Sequence, residues 1–346
     1  MSVFEDIFLS TESTEALRIT SAVLLTVVSI MGVIFNIIVL LVFIFRIKKR
    51  DGFLKICCLK SFGNSIVCIG YMVWPVPVTF LNYYFLPHIF NAFMGQLVGW
   101  FAWSIGPFSQ VLLTSNRVIA VFLPHMYNKT YRLAPSNIGI IVCLFFASIL
   151  FAAFFPEGCH FLYNLQYIGW LSEDTTCSYV RRIIFLVSMF TIIIFTTFCG
   201  VLLFLKLIAD SRRSKIMNAQ SSNRRLRHRK ALLQALLQNG LILADTLNTT
   251  VTYHLLSQLF FQFLVLSFSM VFIRTLEGYV DLLIQYARRF FRFIMLFMNE
   301  RINNGAKLLF GMKRSERTAT VIFQTAMAAN VFKTAPLIKR FQKKLL

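Results

Sequence analysis

The sequence predicts an all-α fold: a seven-transmembrane helix bundle with its N-terminus outside and a cytoplasmic amphipathic helix after the seventh span. Three observations carry this expectation. The chain is 57% hydrophobic and only 14% charged, with a mean hydropathy of +0.69, which leaves too few charged side chains to cover a soluble domain. Its apolar residues gather into seven runs of the ~20 residues needed to cross ~30 Å of hydrocarbon. Its lysines and arginines collect in alternate connections between those runs.

The spans are placed near 19–45, 54–80, 91–123, 136–156, 183–208, 231–256 and 258–285. They divide the chain into an extracellular N-terminal tail (1–18), a seven-transmembrane domain (19–286) and a basic cytoplasmic tail (287–346). The opening MSVFEDIFLSTESTEAL has no basic start and no apolar core, so the first span is expected to serve as its own targeting signal.

Orientation follows from the basic residues. Arg46, Lys48, Lys49, Arg50, Lys55 and Lys60 are assigned to the connection after span one, and Lys129 and Arg132 to that after span three. The run RRLRHRK at 224–230 lies between spans five and six, and 13 more basic residues follow from Arg288. The other side holds only Arg18, Arg181 and Arg182. Because basic loops stay in the cytoplasm, the tail is expected inside and the N-terminus outside.

The last two spans carry unusual polarity. The sixth contains Gln234, Gln238, Asn239, Asp245 and Asn248, and hydropathy alone discards it. Omitting it would carry the basic tail outside, so it is read as a polar helix shielded by its neighbours. In the seventh, twelve Leu, Ile, Val or Phe between Leu259 and Glu277 contribute roughly −4 to −7 kcal/mol to insertion, which Arg274 and Glu277 offset at about +5 to +7 kcal/mol. These two charges are therefore expected to be paired, with Asp245 or Asp281 as further partners and an interhelical structural or switching role.

The formal net charge of +21 does not point to nucleic acid, since the basic residues lie between membrane spans rather than on a soluble face. They are expected to hold acidic membrane lipids, at about 1 kcal/mol per residue near the surface. ARRFFRFIMLFM (287–298) has the pattern of an interfacial amphipathic helix. No catalytic or metal-ligand motif occurs: the five histidines are scattered and HExxH, GxSxG, CxxC and phosphate-loop patterns are missing. Neither enzymatic activity nor a cofactor is expected.

Arg117 stands near the cytoplasmic end of span three, where its long side chain would reach water or phosphate; Pro124 follows and ends the helix for want of an amide hydrogen. Seven spans with an arginine there resemble a G-protein-coupled receptor, with Asn116-Arg117 in place of the usual acidic residue and arginine, and Asn36-x-x-Val39 resembling the first-helix motif of that class. NAFMGQLVGWFAWSIGPFSQVLLTSNRVIAVFLPHMY (91–127) resembles the nematode serpentine chemoreceptors, above all their class X group. The same group is resembled by RTLEGYVDLLIQYARR (274–289), with Arg274 in place of a histidine. The sequence departs from rhodopsin-like receptors in having no acidic neighbour of Arg117, no proline or tryptophan in span six, and no Asn-Pro-x-x-Tyr spacing in span seven.

The resemblance implies a receptor for an odorant or pheromone that signals to a heterotrimeric G protein in the ciliary membrane of chemosensory neurons. Cys159 and Cys177, both assigned to the outer loop before span five, are expected to be bridged in the oxidising lumen. Pro107 after Gly106 permits a bend in span three. Gln96, Trp100, Trp103 and Gln110 are the candidate ligand contacts, in a pocket between helices. Asn116, Arg117, Arg224 and Arg225 are the candidate G-protein contacts. Asn36, Pro107, Asp245, Arg274, Glu277 and Asp281 are the structural or switch candidates. The competing reading is a transporter or ligand-gated channel that uses the polar residues of spans six and seven.

Overall fold

The computed structural model describes residues 13–46, 52–123, 134–153, 156–213, 236–255 and 257–282. Seven helices are present among them: α1 (Glu15–Arg46), α2 (Gly52–Leu81), α3 (His88–Phe122), α4 (Ala134–Ala153), α5 (Thr176–Arg213), α6 (236–255) and α7 (Leu259–Asp281). Between α4 and α5 lies an antiparallel hairpin, β1 (Phe161–Asn164) with β2 (Gly169–Ser172). The segment 287–298 and the pair Arg224 and Arg225 lie outside the described residues.

All of these helices except α6 are long and apolar enough to cross a membrane. Their burial pattern is the reverse of a soluble protein's. In α1, Ile19, Val23, Val27, Ile34 and Leu41 are exposed, while Ser21, Ser29 and Asn36 are fully buried. Both sets recur at helical spacing, so the apolar stripe faces lipid and the small polar stripe faces the bundle. Exposed Ile141, Phe145, Ile194 and Phe198 give α4 and α5 the same lipid-facing surface.

Two element positions differ from the sequence expectation. The fifth helix starts at Thr176, so Cys177 sits in its first turn rather than in the preceding loop. Lys60 belongs to α2 and is fully buried, not to a cytoplasmic connection, because its ammonium has a carboxylate partner inside the bundle.

Three helices loosen into π-helical turns: Gln96–Ala102 in α3, Asn248–Thr252 in α6 and Leu264–Phe268 in α7. Such turns widen the helix locally and recur at functional sites. In α3 this irregularity precedes Pro107, which sits buried inside the regular Trp103–Phe122 segment.

The hairpin is tied down by a side-chain amide that pairs with its backbone. The Asn91 side chain accepts from Tyr163 N (3.0 Å) and donates to Tyr163 O (3.0 Å), while Trp74 Nε1 donates to the same Asn91 oxygen at 2.8 Å. Gly95 allows the closest approach, since a Cβ there would lie 1.6 Å from the Phe161 carbonyl oxygen. At the hairpin turn, buried Ile168 adopts φ 48° and its carbonyl accepts from Ser267 Oγ of α7 at 2.8 Å. A β-branched residue is rare in this left-handed region, and the α7 hydrogen bond helps hold it there.

Candidate functional site: a hairpin-covered cavity above a buried charge network

A cavity of about 410 Å³ opens beneath the hairpin, within the size range of small-molecule sites. Each of the three π-helical turns contributes to its wall: Gly99 and Trp100 from α3, Thr249 and Thr250 from α6, and Leu266 from α7. The rest of the lining mixes aromatic with charged side chains: Trp103 and Phe185 from the helices and Phe161 and Trp170 from the hairpin, beside Glu173, Asp174, Arg181 and Arg182.

The disulfide and one arginine shape the cavity roof. Cys159 and Cys177 are bridged, with Cα atoms 5.4 Å apart. One turn beyond Cys177, the buried Arg181 donates to the Cys159 carbonyl and to Ser172 Oγ. Its guanidinium carbon lies 5.0 Å from the Trp100 ring centre and 5.7 Å from that of Phe161. Staple, strand and helix are thereby joined through a single cation.

Below the cavity lies a chain of four buried charges. Asp245 Oδ2 accepts from Arg274 Nη2 at 2.9 Å, Arg274 Nη1 meets Glu277 Oε2 at 3.1 Å, and Glu277 Oε1 is 2.8 Å from Lys60 Nζ. All four side chains are at most 1% exposed. Two cations and two carboxylates alternate, so the network is formally neutral, which is how ionised groups become tolerable in a low-dielectric interior. It links α2, α6 and α7.

Trp103 connects cavity and network. Its ring lines the cavity, its Nε1 donates to Asp245 Oδ2 at 2.8 Å, and the Arg274 guanidinium lies 5.4 Å from its ring centre. Gly106, one turn further along α3, leaves room for Arg274, because a Cβ there would be 2.9 Å from Nη1. Asn36 donates to the Gly32 carbonyl (2.8 Å) and to the Arg274 carbonyl (3.3 Å), joining α1 to α7.

The residues singled out from the sequence therefore divide. Trp100 and Trp103 line the cavity, whereas Gln96 and Gln110 are buried away from its wall, and Gln110 donates to Asn239 of α6 at 2.8 Å. Asp245, Arg274 and Glu277 come together, while Asp281 accepts instead from Gln238 at 2.8 Å. Arg117, expected to reach water or phosphate, has all three guanidinium nitrogens buried, with no hydrogen-bond partner among the described residues, and packs 5.1 Å from the Phe53 ring centre. Asn116 lies beside it near the end of α3.

Sequence reasoning missed Lys60 and Arg181. Lys60 falls within the 54–80 apolar run and should have been weighed as a partner for the span-seven charges. Arg181 follows Cys177 by four residues, which puts both on one helical face beneath the hairpin.

The seven helices with a hairpin over a central cavity form the bundle fold that rhodopsin also has. The crystal structure of squid rhodopsin superposes with a TM-score of 0.66 at 13% identity, over 82% of this chain and 88% of that one, which establishes the shared fold. Residues 26–284 match the serpentine type 7TM GPCR chemoreceptor family Srx, and the chain belongs to that family. No curated protein matches it in sequence.

Proposed function

We propose that this receptor binds an external odorant or pheromone in the hairpin-covered cavity and signals to a heterotrimeric G protein from the opposite end of the bundle. The supporting observation is the double placement of Trp103, whose ring lines the cavity while its N–H contacts Asp245. A ligand that displaces this ring changes the hydrogen bonding of a carboxylate shared with Arg274, and so acts on α2, α6 and α7 together. It drives activation only by binding the active arrangement more tightly than the resting one.

On this reading the N-terminal tail and hairpin face outside, in keeping with the few basic residues on that side. The opposite end, about 33 Å from Gly95 to Arg117 along α3 at 1.5 Å per residue, contacts the G protein through Asn116, Arg117 and the connection carrying Arg224 and Arg225. Its basic residues and the 287–298 segment rest on anionic lipid. The membrane is that of a chemosensory cilium.

The test is a second-messenger screen of odorants and pheromones on cells that display a protein tagged after Leu346. At least one compound should elicit a response that is altered in Trp103→Phe at equal surface delivery. Ligand-evoked current in cells lacking G protein, with no second messenger, would instead establish a channel.

A further inference from the structure

Two consecutive residues of α6 tie its inner end to two different helices. Asn239 Oδ1 accepts from Gln110 Nε2 of α3 at 2.8 Å, and Gln238 Nε2 donates to Asp281 Oδ1 of α7 at 2.8 Å. Neighbouring residues project about 100° apart around a helix, so one short segment faces α3 and α7 at once. Gln110 and Gln238 are fully buried and Asp281 is 1% exposed, and lipid offers such groups no replacement partner. On the opposite side of the segment Leu236 and Leu237 are exposed, and a Cβ on Gly240 would have nothing within 4 Å among the described residues. Polar contacts thus hold the inner end of α6 from one side only.

Arg117 lies on the same face of α3 as Gln110, seven residues or about two turns nearer the inner end. Its three guanidinium nitrogens are buried without a hydrogen-bond partner among the described residues. The ring of Phe53 on α2 attracts the cation through its face but offers no acceptor. A buried cation in this state favours any rearrangement that brings it a carboxylate. Asp281 is the carboxylate whose charge already acts on Arg117, and Gln238 holds one of its oxygens.

We propose that Asp281 exchanges partners: Gln238 holds it while α6 is docked, and Arg117 pairs with it once the inner end of α6 swings toward lipid. Release breaks the bonds from Gln110 to Asn239 and from Gln238 to Asp281 together. An ion pair between α3 and α7 offsets that loss and neutralises the buried guanidinium, so the undocked form is a second defined arrangement. The signalling role of the exchange rests on the receptor reading: the pair fixes Arg117 beside the opening that α6 leaves at the G-protein end.

The test uses the purified full-length protein in nanodiscs. Nitroxides attached to p-acetylphenylalanine at Ile138 of α4 and Leu236 of α6, both exposed, leave the native cysteines untouched, and pulsed EPR reads the separation of the two helix ends. Gln238→Met with Asn239→Leu should raise the long-distance population about ten-fold, since two buried hydrogen bonds are removed. Adding Asp281→Asn should reduce that population about five-fold, because an amide keeps the shape but cannot neutralise Arg117, and this reduction should vanish in an Arg117→Met background. If the two α6 substitutions together prevent folding, Asn239→Leu alone, which alters no charge or its partner, should still raise the population about five-fold. The inference is overturned if removing the amides leaves the distances unchanged, or if Asp281→Asn lowers the long-distance population equally with and without Arg117. Failure of the receptor reading is a separate result: the stated distance changes with no change in ligand-independent second messenger.

Discussion

Lys60 Nζ and Glu277 Oε1 lie 2.8 Å apart, and both side chains are wholly removed from solvent. This contact joins α2 to α7 and closes the series of four charges that begins at Asp245. Neither residue can lose its partner cheaply, because an unpaired ion in this environment has no water to turn to.

Removal of the Lys60 charge should therefore be severe and rescuable. Lys60→Met leaves the network with a net negative charge, and stability should fall by about 3–5 kcal/mol. Adding Glu277→Gln restores neutrality around Asp245 and Arg274 and should recover a large part of that loss. Thermal unfolding of the two variants in nanodiscs provides the comparison, and equal melting temperatures would contradict it.

Trp103→Phe keeps an aromatic ring against the cavity but deletes the donor to Asp245. Hydrogen bonds to charged groups contribute about 1.5–3 kcal/mol, so a loss in that range is expected in thermal unfolding, together with altered ligand-independent second-messenger output. An unchanged melting temperature would show that the indole N–H contributes nothing to holding Asp245.

Two glycine substitutions should behave in opposite ways. Gly95→Ala drives a methyl group into the Phe161 carbonyl at 1.6 Å, a collision with backbone that forces the hairpin off α3, so surface delivery should collapse. Gly240→Ala meets nothing within 4 Å and gains up to about 1 kcal/mol of helix propensity. Flow cytometry of the tagged variants checks both.

Alkaline stability should depend on Tyr163. Its buried phenol shares a 2.6 Å hydrogen bond with Thr79 Oγ1, and burial raises its pKa well above the ordinary value of about 10. The unfolded chain ionises first, so the folded form holds the extra proton. The stabilising contribution is complete below about pH 10 and is lost as pH rises above it. Tyr163→Phe should flatten the fall in melting temperature between about pH 9 and 11; an identical fall would remove Tyr163 as the cause.

Much of the architecture was legible in the residues. Six spans followed from run length, the polar α6 from the distribution of basic residues, and the pairing of Arg274 with Glu277, with Asp245 or Asp281 as further partner, from the cost of charge in lipid. Of those two, Asp245 meets Arg274, and Asp281 accepts from Gln238 on α6. Gln96 and Gln110 have the amphipathic chemistry of pocket residues, yet only Trp100 and Trp103 meet the cavity. The direction in which each projects depends on the π-helical turn at 96–102, and no local signal announces that turn.

The sequence by itself determined that the chain crosses a membrane seven times and that its interior must carry mutually neutralising charges. Hydrophobic run length and insertion cost are properties of single segments, so they can be read without knowing what lies beside them. Only the tertiary structure decided that Lys60 rather than another cation meets Glu277, that Arg181 braces the hairpin, and that Trp103 touches both cavity and network. Those facts depend on the rotation and approach of separate helices, set by close contacts such as Gly95 against Phe161 and Gly106 against Arg274.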